Sequence, residues 1–310
     1  MRVILLHNPS AGDDRPTKTT LLAVLAAAGY AAEYLSTKHD GWEGALGEPA
    51  DLVVVAGGDG TVAKVARSIA GCGSPLVILP LGTANNIART FGLDGEPRDL
   101  VARWRNAGAR PLDLGVAVGP WGRRYFVEAC GGGLFADFLV ASQRPEMQKR
   151  LRQGEAEEQV RRGVESILST LADYQPHHWR IVVDGRDLSG EYLMVEAMNI
   201  RSIGPRLELA SAADPGDGLL DVALLPAAER EAFADYLRRR LAGEAARPRL
   251  TIERGRRIQI CQLSCADSGV HVDDDLAPRA AGHSAAPESA ARYRATVELS
   301  VEAGALEVLI

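Results

Sequence analysis

The sequence predicts an α/β protein in two parts: an N-terminal parallel-sheet domain over residues 1–112, and a C-terminal β-rich, β-sandwich domain over residues 113–310. Three observations predict it. Short apolar runs alternate with helix-length segments through the first third, the pattern of a parallel sheet covered on both faces. After about residue 112, hairpin signals replace that alternation. The length of 310 residues, with 46% hydrophobic and 25% charged residues, suits two ordinary globular domains.

In chain order, residues 2–6 read as a buried strand, 17–28 as a helix with LLAVLAAA on its apolar face, and 31–35 as a second strand. Strand and helix alternate again at 52–56, 62–70, 76–79 and 84–91. Hairpins are expected around Gly119-Pro120-Trp121-Gly122 and around Asp184-Gly185, with one long polar helix at 154–174 between them. Strands follow at 219–225, 257–263 and 270–273, and the chain closes with strands at 293–301 and 305–310. The Ala-, Gly-, Pro- and Ser-rich stretch 276–292 reads as an exposed loop before that last hairpin.

A net charge of −6 argues against nucleic-acid binding, which needs a basic face. The four cysteines show no zinc spacing and read as reduced thiols. MRVILLHNPSAG is too short in its apolar run for a signal peptide, and no stretch approaches the length of a membrane span. The expectation is a cytoplasmic protein that can touch a membrane from outside. A homodimer is left open.

VVVAGGDGTVAKVA at 53–66 satisfies the glycine spacing of a dinucleotide fingerprint between a strand and a helix. Two features oppose that reading. The motif is not in the first βα turn, and the ribose-binding acid expected roughly twenty positions on is missing. Asp59 decides further, because a carboxylate aimed at phosphate oxygens repels them unless a cation lies between. Magnesium and a nucleoside triphosphate resolve the conflict. The plain alternative is a tight turn whose aspartate caps the next helix. Asn8-Pro9-Ser10-Ala11-Gly12 and Pro80-Leu81-Gly82-Thr83-Ala84-Asn85-Asn86 follow two other strands at the same sheet edge, where ligands of open α/β sheets bind.

NPSAG, GGDGT and PLGTANN, in that order and spacing, resemble the diacylglycerol kinase catalytic-domain family, which includes bacterial lipid kinases, sphingosine kinases and ceramide kinases. GGDG also occurs in NAD kinases and 6-phosphofructokinases. The resemblance implies ATP as co-substrate, with Asn8, Thr37, Gly57, Gly58, Asp59, Gly60, Thr61, Thr83 and Asn85 at the nucleotide. It implies Mg²⁺ organised by Asp59 and Asp113. A structural Mg²⁺ would be held by Asp214, Asp217 and the carbonyl of Leu219 in DPGDGLLD. Val272-Asp273-Asp274-Asp275 is similar to the family's Asp-Gly-Glu motif, making Asp273 or Asp275 the general base.

The chain departs from the family pattern at several positions. Ala63-Lys64 stand where Asn-Glu is usual, Asn86 where Asp is usual, Asp274 for Gly, and Asp275 for Glu. The implied activity is ATP-dependent phosphorylation of a lipid hydroxyl at the membrane surface. The rivals are a soluble-substrate kinase of the NAD-kinase or phosphofructokinase type, and a nucleotide- or lipid-binding regulatory protein without turnover. GGGLFADFLVA at 131–141 is the candidate for sequestering an acyl chain, and equally a core helix.

Overall fold

The computed structural model describes residues 1–11, 16–263, 269–277 and 296–310. Strands β1 (Val3–His7), β2 (Ala32–Ser36), β3 (Leu52–Gly57) and β4 (Leu76–Pro80) pair in parallel in the order β2-β1-β3-β4. β1 and β3 are buried along their whole length, which is why they read as unbroken apolar runs. Helices α1 (Lys18–Ala27), α2 (Asp59–Ser68), α3 (Asn86–Thr90) and α4 (Pro97–Arg103) complete this part. The Thr17 hydroxyl caps α1 by accepting from the Thr20 amide, and Pro97 opens α4. The loops leaving β1, β3 and β4 all emerge at the carboxyl edge of the sheet. Helix α2 starts earlier than the pattern predicts, because Asp59-Gly60-Thr61 already form its first turn with Gly58 as N-cap.

The second part opens with β5 (Ala109–Gly119) and β6 (Gly122–Phe126), an antiparallel hairpin in which Gly119 faces Gly122. β7 (Ala129–Gly133) leads into helices α5 (Leu134–Ser142), α6 (Pro145–Leu151) and α7 (Ala156–Asp173). β8 (His177–Val183) turns through Asp184-Gly185 into β9 (Arg186–Asp187), followed by β10 (Gly190–Met198), β11 (Ser202–Ile203), β12 (Leu207–Glu208) and β13 (Leu220–Pro226). Helix α8 (Arg230–Leu241) precedes β14 (Thr251–Gly255), β15 (Arg257–Gln262), β16 (Val270–Val272), β17 (Asp275–Leu276) and β18 (Val297–Leu309). Trp179 and Ile181 of β8, Ile258 and Ile260 of β15, Val195 of β10 and Leu224 of β13 share one apolar core. Phe135 of α5, Ile167 of α7 and Phe233 of α8 form a second core with Leu193 of β10 and Leu225 of β13.

The two terminal strands expected from the sequence are one. β18 runs antiparallel to β5, and its register slips between Glu302 and Leu306, with Gly304 at φ 60°. What read as a turn is a bulge, which bends a strand without ending it. β18 also pairs in parallel with β4 through Val308 and Leu76, so the two parts share a continuous sheet. Gly12, Cys265 and the expected loop beyond Ala277 lie outside the described residues.

Candidate active site

A cavity of about 1110 Å³ opens at the carboxyl edge of β1, β3 and β4. Asn8, Gly58, Asp59, Gly60, Thr61 and Thr83 line it, together with Phe138, Leu139, Leu151 and Val160 from the α5–α7 region. The Asn8 side-chain amide donates to the Thr61 hydroxyl at 3.1 Å, tying the first loop to the second. Gly58 and Gly82 meet backbone to backbone: a Cβ on Gly82 would lie 2.4 Å from the Gly58 Cα. Only glycine permits that approach, and it joins the GGDG and PLGT loops into one polar surface.

The remaining predicted nucleotide residues shape this surface without lining it. The Asn85 side chain accepts from the Gly82 amide at 2.7 Å and donates to the Gly82 carbonyl at 2.8 Å, closing the PLGT loop on itself. The Thr37 amide donates to the His7 carbonyl, and its neighbour Lys38 reaches the cavity instead. A side chain at Gly57 would collide with Thr61. The Thr83 hydroxyl donates to Gln159 of α7 at 2.9 Å, and Arg206 donates to the Thr83 and Ala84 carbonyls, so the second part clamps the loop.

Asp59 does not cap α2. Its Oδ1 accepts from the Ile87 amide at 3.0 Å, at the start of α3, while the residue itself faces the cavity. Burial pushes its carboxyl up to about 6, with Asp274 adding to the rise and the amides of residues 85–87 opposing it.

The three consecutive aspartates separate sharply. Asp273 adopts φ 53° in the two-residue turn between β16 and β17, and its buried carboxylate accepts from the Val127 and Glu128 amides and pairs with Arg67 at 2.6 Å. Asp275 lies exposed on β17, opposite Val272, away from the cavity. Asp274 is the member that lines the cavity, close to Gly60. Desolvation raises its carboxyl, with His271 opposing that rise and Asp275 adding to it. The sequence reading chose the flanking aspartates because they match the motif's acids. Position in the two-residue hairpin decides the outcome: Asp273 is buried, and of the two exposed aspartates that follow, Asp274 borders the cavity.

Glu128 is a further cavity residue that sequence reasoning missed. It is 3% exposed, and its carboxyl sits well above the ordinary range because of burial, then the charges of Asp59, Asp274 and Asp273. The signal was available: one acid inside the apolar stretch Phe126-Val127-Glu128-Ala129-Cys130 is an unusual burial that asks for a reason. Asn86 lines the same cavity, whereas Ala63 packs in the core and Lys64 reaches outward to Glu43.

Asp113 is not near Asp59. Its carboxylate accepts from the Gly218 and Gly304 amides, both at 2.6 Å, fastening the 214–219 loop and the β18 bulge to β5. In that loop Asp217 accepts from the Leu219 amide and pairs with Arg254, which also lies 3.4 Å from Asp221; Asp214 accepts from the Gly216 amide and pairs with Arg110. Both oxygens of Asp113 and of Asp217 are thus engaged by protein donors in this arrangement, and Asp214 is engaged through Oδ1. Three further acids, Asp59, Glu128 and Asp274, line the cavity. Among the described residues no group of three or more acid, histidine or cysteine side chains is placed to hold a metal ion by itself. A cation there would complete its shell with water and phosphate oxygens, as Mg²⁺ commonly does.

A phosphate-type surface at the edge of a parallel sheet, coupled to a β-rich part bearing an acidic turn, defines a two-part phosphotransferase fold. Residues 2–117 match the model of the diacylglycerol kinase catalytic domain, and residues 150–309 match that of the YegS C-terminal NAD kinase beta sandwich-like domain. The chain therefore belongs to the diacylglycerol kinase catalytic-domain family of lipid kinases. It is 28% identical over 259 residues to a Bacillus subtilis protein named diacylglycerol kinase, covering 78% of this chain and 80% of that one. It is 32% identical over 237 residues to a Pseudomonas aeruginosa protein named probable lipid kinase YegS-like, covering 72% of each. A crystal structure described as a diacylglycerol kinase from Bacillus anthracis superposes with TM-score 0.69 at 19% identity, covering 99% of this chain and 96% of that one, a likeness of fold.

Proposed function

We propose that the chain is an ATP-dependent lipid kinase that transfers the γ-phosphoryl group to a lipid hydroxyl with Mg²⁺. One observation carries the reading: a single cavity is lined both by the polar loops that leave β1, β3 and β4 and by the apolar side chains of Phe138, Leu139, Leu151 and Val160. Helix α5, the 131–141 candidate for acyl sequestration, serves both purposes, burying Phe135 in the core and presenting Phe138 and Leu139 to the cavity.

In this reading, the backbone amides at the start of α2 and the Thr61 hydroxyl receive the phosphate oxygens, while Thr83, whose hydroxyl donates to Gln159, holds the loop in place. Asp274 accepts the hydroxyl proton as the acceptor oxygen bonds to phosphorus and the bond to the β-phosphate oxygen breaks, releasing ADP. Desolvation raises its carboxyl above the ordinary value. Mg²⁺, when bound beside Asp59, neutralises phosphate charge. Among the described residues no helix is long and apolar enough to cross a membrane, so the lipid would be reached from the bilayer surface.

The test is incubation with γ-labelled ATP and Mg²⁺ against diacylglycerol, sphingoid, ceramide and soluble acceptors, with Asp59→Ala as control. Labelling of a lipid, lost in the variant by about 100-fold or more, is expected. Labelling of a soluble acceptor alone, or ATP binding with no transfer at all, overturns the reading.

A further inference from the structure

We propose that His271 and Glu196, meeting over Gly131, form a buried clasp that sets the direction in which Asp274 leaves its turn, so that His271 is a positioning residue for the transfer. The assignment rests on Asp274 as the proton acceptor of the reaction above. Gly131 of β7 is the cross-strand partner of both residues, His271 on β16 and Glu196 on β10. Residues opposite one another in neighbouring strands share a face, so the three form one row whose middle side chain is absent. That absence lets side chains two strands apart meet: His271 Nε2 lies 2.7 Å from Glu196 Oε2. A Cβ on Gly131 would fall 2.1 Å from the same oxygen. The first glycine of GGGLFADFLVA is thus the place where a side chain would part the clasp.

His271 and Glu196 are fully buried, and the ring of Phe135 meets the imidazole edge to face, 5.0 Å between centroids. The second ring nitrogen, Nδ1, lies 2.7 Å from the Asp273 carbonyl. A carbonyl only accepts, so Nδ1 carries a proton and donates it, while Glu196 fixes the rotation of the ring. The bonded carbonyl belongs to the peptide that joins Asp273 to Asp274. The Val127 and Glu128 amides and Arg67 hold the Asp273 carboxylate, which secures its side chain but not the peptide beyond it. His271 secures that peptide plane, and with it the course of the chain into Asp274 at the cavity. Burial works against charge on the ring, yet Glu196 and the Asp273 carbonyl outweigh it and raise His271; burial raises Glu196 too, with His271 opposing. The pair therefore keeps its shared proton to higher pH than a solvated histidine would, and the bond from Nδ1 persists whichever partner carries that proton.

The test compares three variants of the full chain by γ-labelled transfer to lipid and by amide hydrogen exchange in segment 270–277. His271→Phe keeps a ring and removes both nitrogens. Its kcat should fall about 10–100-fold with the KM for ATP little changed, and exchange in the segment should quicken. His271→Asn restores a donor near the Nδ1 position and should recover most of both losses. Glu196→Gln can donate to Nε2 of a neutral ring, so it removes the charge, keeps the clasp and should hold kcat near the parent's. Unchanged kcat in His271→Phe, or a Glu196→Gln that falls as far as His271→Phe, overturns the proposal. A folded His271→Asn with no recovery overturns it as well. If the parent labels no acceptor, exchange decides: quickening in His271→Phe that His271→Asn reverses refutes only the functional reading, and equal exchange in all three refutes the clasp. Equal lipid labelling by the parent and His271→Phe refutes only the clasp.

Discussion

The turn Asp273-Asp274 shows how little separates a carboxylate held by protein donors from one that borders the cavity. Asp273 is consumed by two amides and Arg67, so it holds the turn; Asp274, one residue on, is left facing the cavity. Asp274→Asn should lower kcat by about 10²–10⁴-fold, the range for loss of a general base, with lipid KM little changed. Asp275→Asn should leave both parameters near the parent's, and the reverse ranking would reassign the base. Asp273 also fixes a pH dependence. Burial raises its carboxyl from the ordinary 3.8 to about 6, even against Arg67. Between those values the folded state binds more protons than the unfolded one, so stability rises as pH falls through about 6 and declines as pH climbs back. Asp59, Asp113, Glu196 and Asp221 are displaced in the same direction. In chelator the thermal midpoint should be higher at pH 5 than at pH 7, and Asp273→Asn should flatten the difference. A midpoint that falls on acidification would contradict the burial argument.

At the scale of elements, the site is made by loops leaving β1, β3 and β4, and by the turn between β16 and β17 brought over them. The closest join is Gly58 against Gly82. Gly82→Ala would place a Cβ 2.4 Å from the Gly58 Cα and 2.5 Å from Asn85 Oδ1, so backbone would have to move. The expected cost is about 1–3 kcal/mol of stability, read by denaturant unfolding, together with weakened binding of a nucleotide analogue. A neutral substitution would mean that the two loops are not pressed together. The short helix α3 owes its placement to the same region, because Asp59 from α2 accepts at its first turn. Sequence pattern located both helices and missed this bond, since capping between separate elements leaves no periodic trace.

Across the whole molecule, β18 is the link. It pairs with β5 and β15 of the second part and with β4 of the first, and it sends Leu306 and Val308 into the N-terminal core. Heat unfolding should therefore be a single cooperative transition, and Leu306→Ala should lower it as a unit, by about 2–5 kcal/mol for a filled core position. Two separated transitions, with only one displaced, would show that the shared sheet does not couple the parts. The same closure brings α7 to the PLGT loop, where Gln159 meets Thr83 and Val160 meets the cavity.

The sequence by itself determined the α/β order of the first part, the hairpins at Gly119–Gly122 and Asp184-Gly185, and the family, through NPSAG, GGDGT and PLGTANN. These are local signals, carried by periodicity and by glycines whose spacing reflects backbone geometry. Tertiary structure alone decided that Asp113 serves the 214–219 loop, that Asp274 rather than its neighbours faces the cavity, and that Glu128 joins Asp59 there. Each of those outcomes depends on which remote donors consume a carboxylate's oxygens. Residues as far apart as 113 and 304, or 67 and 273, meet only after the sheet has closed.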